Sequence, residues 1–177
     1  LERTSIPIKT FQPTHVGRSA KLQDDAFRFA KMGGTIDITC GQSESKFKAV
    51  AASLKKAAEE QVPMEKITIS SDGQGSWSNY DADGKLTEMG VSDVDTIYRQ
   101  IVYEVKNEKM PLAEALTFGT SNVAKALELY PKKGAVQEGS DGDLLLMNGD
   151  LTLDAVIAGG AVMMKDGVLA KKGTYEK

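Results

Sequence analysis

His15 is the only histidine in the 177-residue chain, and a Gly-containing turn, Val16-Gly17-Arg18, follows it directly. Asp72 lies 57 residues further on and opens the run Gly73-Gln74-Gly75-Ser76. That separation is close to two βα units of roughly 30 residues each. It puts both side chains at one edge of a parallel sheet, one strand apart, where α/β folds build their sites. An imidazole and a carboxylate converging there suit Zn²⁺, but a catalytic zinc takes three protein ligands and the chain has no second His. Taken alone, His15 reads more readily as a structural or surface histidine, since one His at a strand end is a weak signal. Asp72 reads equally as a turn residue whose carboxylate bonds its own backbone. Arg18, on the same rim, could grip a carboxylate in bidentate fashion or simply be solvated.

Other motifs carry less. Gly73–Ser76 lacks the G-x-x-x-x-G-K-[ST] pattern of a phosphate cradle. Asn79–Gly84 resembles an EF-hand loop, yet position 12 of such a loop falls on Gly90 instead of a Glu. Cys40 has no adjacent base and reads as a small packed residue. No G-x-S-x-G elbow is present.

These residues need elements to hold them. Residues 6–12 alternate apolar and polar, which predicts a strand ending near His15. Residues 20–32 carry Leu22, Ala26, Phe27, Phe29 and Ala30 at helical spacing, and Gly33-Gly34 stops that helix. Residues 35–40 form a short β-branched strand. Residues 44–61 give a helix with the stripe Phe47, Val50, Ala51, Leu54, Ala57, Ala58. Residues 66–71 form a third strand, and 72–90 read as a long polar loop of the kind that is functional or mobile. Ser92 and Asp95 make a capping-box-like start. The helix after it is striped by Val94, Ile97, Tyr98, Ile101, Val102 and Val105. Short helices follow at 111–118 and from Ser121 through Leu129. Beyond residue 134 the strand candidates 143–147, 155–158, 161–165 and 168–170, separated by tight turns, predict a small antiparallel β unit. The expected domains are therefore 1–133 and 134–177.

Composition agrees with a packed α/β protein: 41% of residues are hydrophobic and 27% charged, which excludes global disorder. With 22 basic and 25 acidic residues the net charge is −3, which argues against a nucleic-acid-binding face. No apolar run reaches the ~18–20 residues that cross a bilayer, so no membrane partner is expected. The first eleven residues lack an apolar signal-peptide core. The single Cys excludes an internal disulfide and fits a reducing, cytoplasmic setting. The β–α alternation predicts parallel sheet, either doubly wound or a piece of a barrel. A whole (β/α) barrel takes ~250 residues, so a barrel reading requires that much of it lie elsewhere.

Three segments, in order and spacing, carry a family resemblance. They are Phe11–Arg18, Gly33–Thr39 and Ser70–Ser76, and they resemble the isoaspartyl dipeptidase (β-aspartyl peptidase) family. Thr120–Ala124 through Gly139–Leu145 resembles the ending common to the wider amidohydrolase superfamily. The resemblance implies strands six to eight of a (β/α)₈ barrel, joined to the C-terminal part of a small β-sandwich. It implies two zinc ions at the barrel mouth, with His15 and Asp72 among their ligands. The remaining ligands, a His-x-His pair, a carboxylated Lys and another His, would lie upstream of Leu1. Arg18 and Ser76 match residues that hold the α-carboxylates of a small-molecule substrate, a β-aspartyl dipeptide. The implied reaction is cleavage of its isopeptide bond by a metal-bound hydroxide, with Asp72 as general acid and base. The expectation is thus the C-terminal part of a larger, homo-oligomeric metallopeptidase, inactive by itself. A dihydroorotase-like or D-aminoacylase-like hydrolase, or a non-catalytic binding piece, is the competing reading.

Overall fold

The structure is a computed structural model and describes residues 4–172. Its centre is a pair of parallel strands, β1 (Ile36–Thr39) and β2 (Ile67–Ser70), in register from Ile36 opposite Ile67 to Thr39 opposite Ser70. The strand period of two sorts their side chains onto two faces. Ile36, Ile38, Ile67 and Ile69 are buried in one hydrophobic core with Val16, Phe27, Val50, Leu54, Ile101 and Phe118. Burying each large aliphatic or aromatic side chain there stabilises the fold by about 1.5–3 kcal/mol. Asp37, Thr39, Thr68 and Ser70 occupy the opposite face, and Asp37 and Thr68 are buried there as well.

Helices α1 (Ala20–Lys31) and α2 (Glu44–Glu59) supply the apolar cover. Ser19 caps α1 by accepting from the Leu22 amide at 3.3 Å. The helix ends in a Schellman arrangement: Gly33 (φ 98°) donates to Ala30 O and Gly34 to Phe29 O. A positive φ at that position favours glycine, so the Gly33-Gly34 signal acts as its chemistry requires. Helices α3 (Thr96–Lys106), α4 (Leu112–Thr117) and α5 (Ser121–Ala126) follow, and Ile101 of α3 and Ala115 of α4 join the same core. Buried Asn122 donates to Met64 O and Ile67 O, both at 2.9 Å, which ties α5 to the start of β2.

Three expectations need correction. Residues 6–12 do not form a strand. Ile8–Thr10 is a single 3₁₀ turn, and the irregular stretch after it touches β1 through one backbone bond, from the Asp37 amide to Pro13 O at 2.9 Å. Pro7 and Pro13 have no N–H to give a ladder, which defeats the alternating pattern. Residues 72–90 are not all loop. They contain a hairpin, β3 (Ser76–Tyr80) and β4 (Leu86–Val91), whose turn is held by Asp81 Oδ1 accepting from the amides of Asp83 and Lys85. Finally, α3 starts at Thr96 after Asp95 without a side-chain cap, and Val94 lies outside it, exposed.

The C-terminal strands are β5 (Leu144–Met147), β6 (Leu153–Ala158), β7 (Ala161–Lys165) and β8 (Val168–Leu169). They form one antiparallel sheet in sequence order, close to the expected ranges. Ala155 is its only buried hydrophobic, while Leu145, Leu146, Val162, Val168 and Leu169 are exposed. Tyr98 on α3 donates to Leu151 O at 2.6 Å and links this sheet to the helices. The fold is α/β, and among the described residues no sheet closes into a barrel. No described helix is long and apolar enough to cross a membrane.

Candidate active site

The C-terminal ends of β1 and β2 and the turn after residue 14 open into one cavity of about 710 Å³. His15, Arg18, Asp72 and Ser76 all line it. These four residues, singled out by type, spacing and the family resemblance, are therefore brought together, although they come from two chain segments far apart in sequence.

Two of them sit on unusual backbone. His15 has φ 58° and Asp72 φ 50°, both left-handed. For residues other than glycine that conformation costs about 1–2 kcal/mol each, and it clusters where surrounding structure holds a functional side chain in place. The Asp72 turn is fixed on all sides. The Gly75 amide donates to Asp72 O at 2.8 Å, and Gln74 and Ser92 clamp the loop onto the end of β4. A Cβ on Gly75 would stand 2.8 Å from both Asp72 O and Asp72 Oδ1, so only glycine lets the carboxylate fold over this turn. A Cβ on Gly73 would meet Val94 Cγ1 at 2.7 Å, so that glycine too is required by close approach.

The His15 imidazole is oriented by β1. Thr39 Oγ1 lies 2.7 Å from His15 Nδ1, which leaves Nε2 as the ring nitrogen open to another partner. Arg18 ends the short 3₁₀ turn Val16–Arg18 that hangs from His15, and its guanidinium takes part in none of the ion pairs among the described residues. Ser76 opens β3 opposite Val91.

Sequence reasoning missed three lining residues. Thr39 shares a face with Asp37, a period-two signal that was available. Lys46, in the first turn of α2, places a second cation at the rim. Trp77 forms part of the wall; its ring packs where a Cβ on Gly90 would lie, and its indole N–H is buried without a partner. Cys40 also reaches the cavity, but burial pushes its thiol up to about 12, with Asp37 and Glu104 adding in the same direction. It is a packed residue, not a nucleophile.

The donors present have the chemistry of part of a zinc site, one imidazole nitrogen and one carboxylate. Among the described residues no cluster of three or more His, Cys, Asp or Glu could hold a metal ion.

His15, in the turn before α1, and Asp72, in the turn after β2, thus meet in one cavity at the C-terminal ends of the parallel strands. Residues 14–169 match the amidohydrolase family, and the chain belongs to that family. It is similar to the β-aspartyl dipeptidase of the thermophilic, keratin-degrading Fervidobacterium islandicum AW-1, solved with β-Asp-Leu dipeptide. Identity there is 36% with a TM-score of 0.84, over 98% of this chain and 44% of that one. A second structure of the Fervidobacterium enzyme matches at 34% identity and TM-score 0.78, over 98% of this chain and 42% of that one. The chain thus spans less than half the length of these relatives. An enamidase, 16% identical with a TM-score of 0.61 over 96% of this chain and 48% of its own, has the same fold.

Proposed function

We propose that the chain forms part of a cytoplasmic, metal-dependent dipeptidase that cleaves the isopeptide bond of β-aspartyl dipeptides. The convergence of His15, Arg18, Asp72 and Ser76 on one cavity supports this reading most directly. In it, residues 1–133 belong to strands six to eight of an amidohydrolase barrel and 134–177 to the C-terminal part of a β-sandwich. The exposed apolar faces of the β5–β8 sheet are consistent with further strands covering them. The other ligands of a two-zinc centre come from chain outside these 177 residues, and the complete enzyme is a homo-oligomer.

His15, through Nε2, and Asp72 would hold zinc. When bound, the metal lowers the pKa of water to about 7 and polarises a carbonyl. The Asp72 carboxylate takes the proton of the attacking water and passes it to the leaving amine. Its fixed left-handed turn keeps it on the cavity side for both transfers. Arg18 and Ser76 hold the carboxylates of the substrate, which spends binding energy on orientation. Arg18 supplies a planar fork matched to a carboxylate, and Ser76 supplies a hydroxyl donor.

A screen of the complete enzyme with β-Asp-Leu and other β-aspartyl dipeptides beside cyclic amides and N-acyl-D-amino acids tests the reading. Turnover of the β-aspartyl substrates alone is the expected result. Preference for a cyclic amide or an acyl-D-amino acid would move the protein to another branch of the family.

A further inference from the structure

The polar face of the parallel pair has a centre. The Asp37 carboxylate, on buried β1, accepts from Thr14 Oγ1 at 2.8 Å, Thr68 Oγ1 at 2.9 Å and Ser70 Oγ at 2.6 Å. Thr14 is the residue before His15, and Ser70 stands two residues before Asp72. Gln12 Nε2 also reaches Thr68 Oγ1, at 3.4 Å. One side chain therefore ties together the three segments that end in the cavity. Two residues along the same strand, on the same face, Thr39 meets His15 Nδ1.

This face is unusual in its composition. A buried sheet face is ordinarily apolar, and a buried carboxylate with only neutral donors is costly unless each lone pair finds a hydrogen bond. Here the hydroxyls supply those bonds. The segment that carries His15 has almost no ladder to hold it, since one backbone bond joins it to β1. The Thr14–Asp37 bond supplies a second tie to that segment.

We propose that Asp37 and Thr39 are a positioning pair: Asp37 fixes the spacing of the His15 and Asp72 segments, and Thr39 holds the imidazole so that Nε2 faces the cavity. The inference rests on the metal reading of His15 and Asp72. With Nε2 as the metal nitrogen, Nδ1 carries the proton and donates to Thr39 Oγ1, which fixes both tautomer and ring angle. Neither residue is a catalytic residue, because neither need touch substrate.

Zinc affinity of the complete enzyme, measured by chelator competition, tests the pair apart from turnover. Thr39→Val keeps the shape and removes the hydroxyl; it should weaken zinc binding about 10–100-fold, while Thr39→Ser stays within about threefold of wild type. Asp37→Asn should weaken it about tenfold. The melting temperature of the metal-free Thr39→Val protein should match wild type. In a His15→Ala background, Thr39→Val should add no further loss, which a general structural defect would not obey. If His15→Ala loses zinc but Thr39→Val binds as wild type, or if Thr39→Ser is as weak as Thr39→Val, the Thr39 role is overturned. Wild-type affinity in Asp37→Asn overturns the Asp37 role. Wild-type affinity in His15→Ala overturns the metal reading itself, a separate failure.

Discussion

Thr39 Oγ1 and His15 Nδ1 are 2.7 Å apart, across the junction between the C-terminal end of β1 and the turn that carries Arg18. That contact gives a lone histidine on irregular backbone a fixed ring orientation. It also separates His15 from an ordinary strand-end histidine, because the second ring nitrogen is left facing a cavity that holds Asp72, Arg18 and Ser76.

The first prediction concerns substrate capture. Truncating Arg18 or Ser76 in the complete enzyme should cost about 2–4 kcal/mol in kcat/KM, since a desolvated carboxylate loses its partner. The same variants should discriminate less against a substrate whose α-carboxylate is amidated. Equal discrimination by wild type and variants, measured in parallel assays, would mean that neither side chain reads that group.

How much of this was legible in the sequence depends on how local the signal is. β1 and β2 stand out because Ile-x-Ile repeats flank short β-branched runs, and α1 and α2 because their stripes and their Gly or Pro stops agree. The meeting of His15 and Asp72 in one cavity was legible by spacing, since two βα units separate them. The segment 6–12 was misread because its alternation ignores the two prolines that bar a ladder. The β3–β4 hairpin was hidden by Ser, Asn, Asp and Gly, and its side chains are mostly exposed, so no buried face imposes a pattern. Thr39 and Asp37 escaped notice because threonine and aspartate near a strand end look like ordinary solvated residues. Their role exists only once three segments are brought to one face.

A second prediction concerns Cys40. It is 5% exposed, and burial first, then Asp37 and Glu104, push its thiol up to about 12. The thiolate is the reactive form, so iodoacetamide at pH 8 should leave Cys40 unmodified in the native protein and label it after denaturation. Rapid labelling of native protein, read by peptide mass, would show that the thiol is accessible and ionised.

A third concerns pH. Glu104 on α3 is 2% exposed and hydrogen-bonded by Gln100 Nε2 at 2.6 Å. Burial raises its carboxyl to about 7; Glu108 adds to the rise and the Gln100 bond opposes it. Between its unfolded value, near 4.5, and about 7 the folded state binds more protons than the unfolded one, so this group's contribution to stability falls as pH rises through that window. Glu104→Gln should remove the dependence and gain about 1–2 kcal/mol at pH 8, with little effect at pH 4.5. Denaturant melts at the two pH values check it; an equal effect at both would place the carboxyl outside this range.

A fourth concerns residues 1–177 in isolation. They supply one imidazole and one nearby carboxylate, short of the three or four protein ligands zinc usually takes. Titration should find weak zinc binding, and an assay with β-Asp-Leu should find no hydrolysis. Stoichiometric tight zinc with turnover in a monomer would mean that these residues hold a complete site.

The most direct test of the central claim is the kcat of the complete enzyme on β-Asp-Leu, followed by leucine release, for wild type and Asp72→Asn. General acid and base transfer contributes about 10²–10⁴-fold, so the variant should lose that much while its circular dichroism and melting temperature stay close to wild type. A near-normal kcat in Asp72→Asn would contradict the account, because Asp72 is the carboxylate to which it assigns both proton transfers.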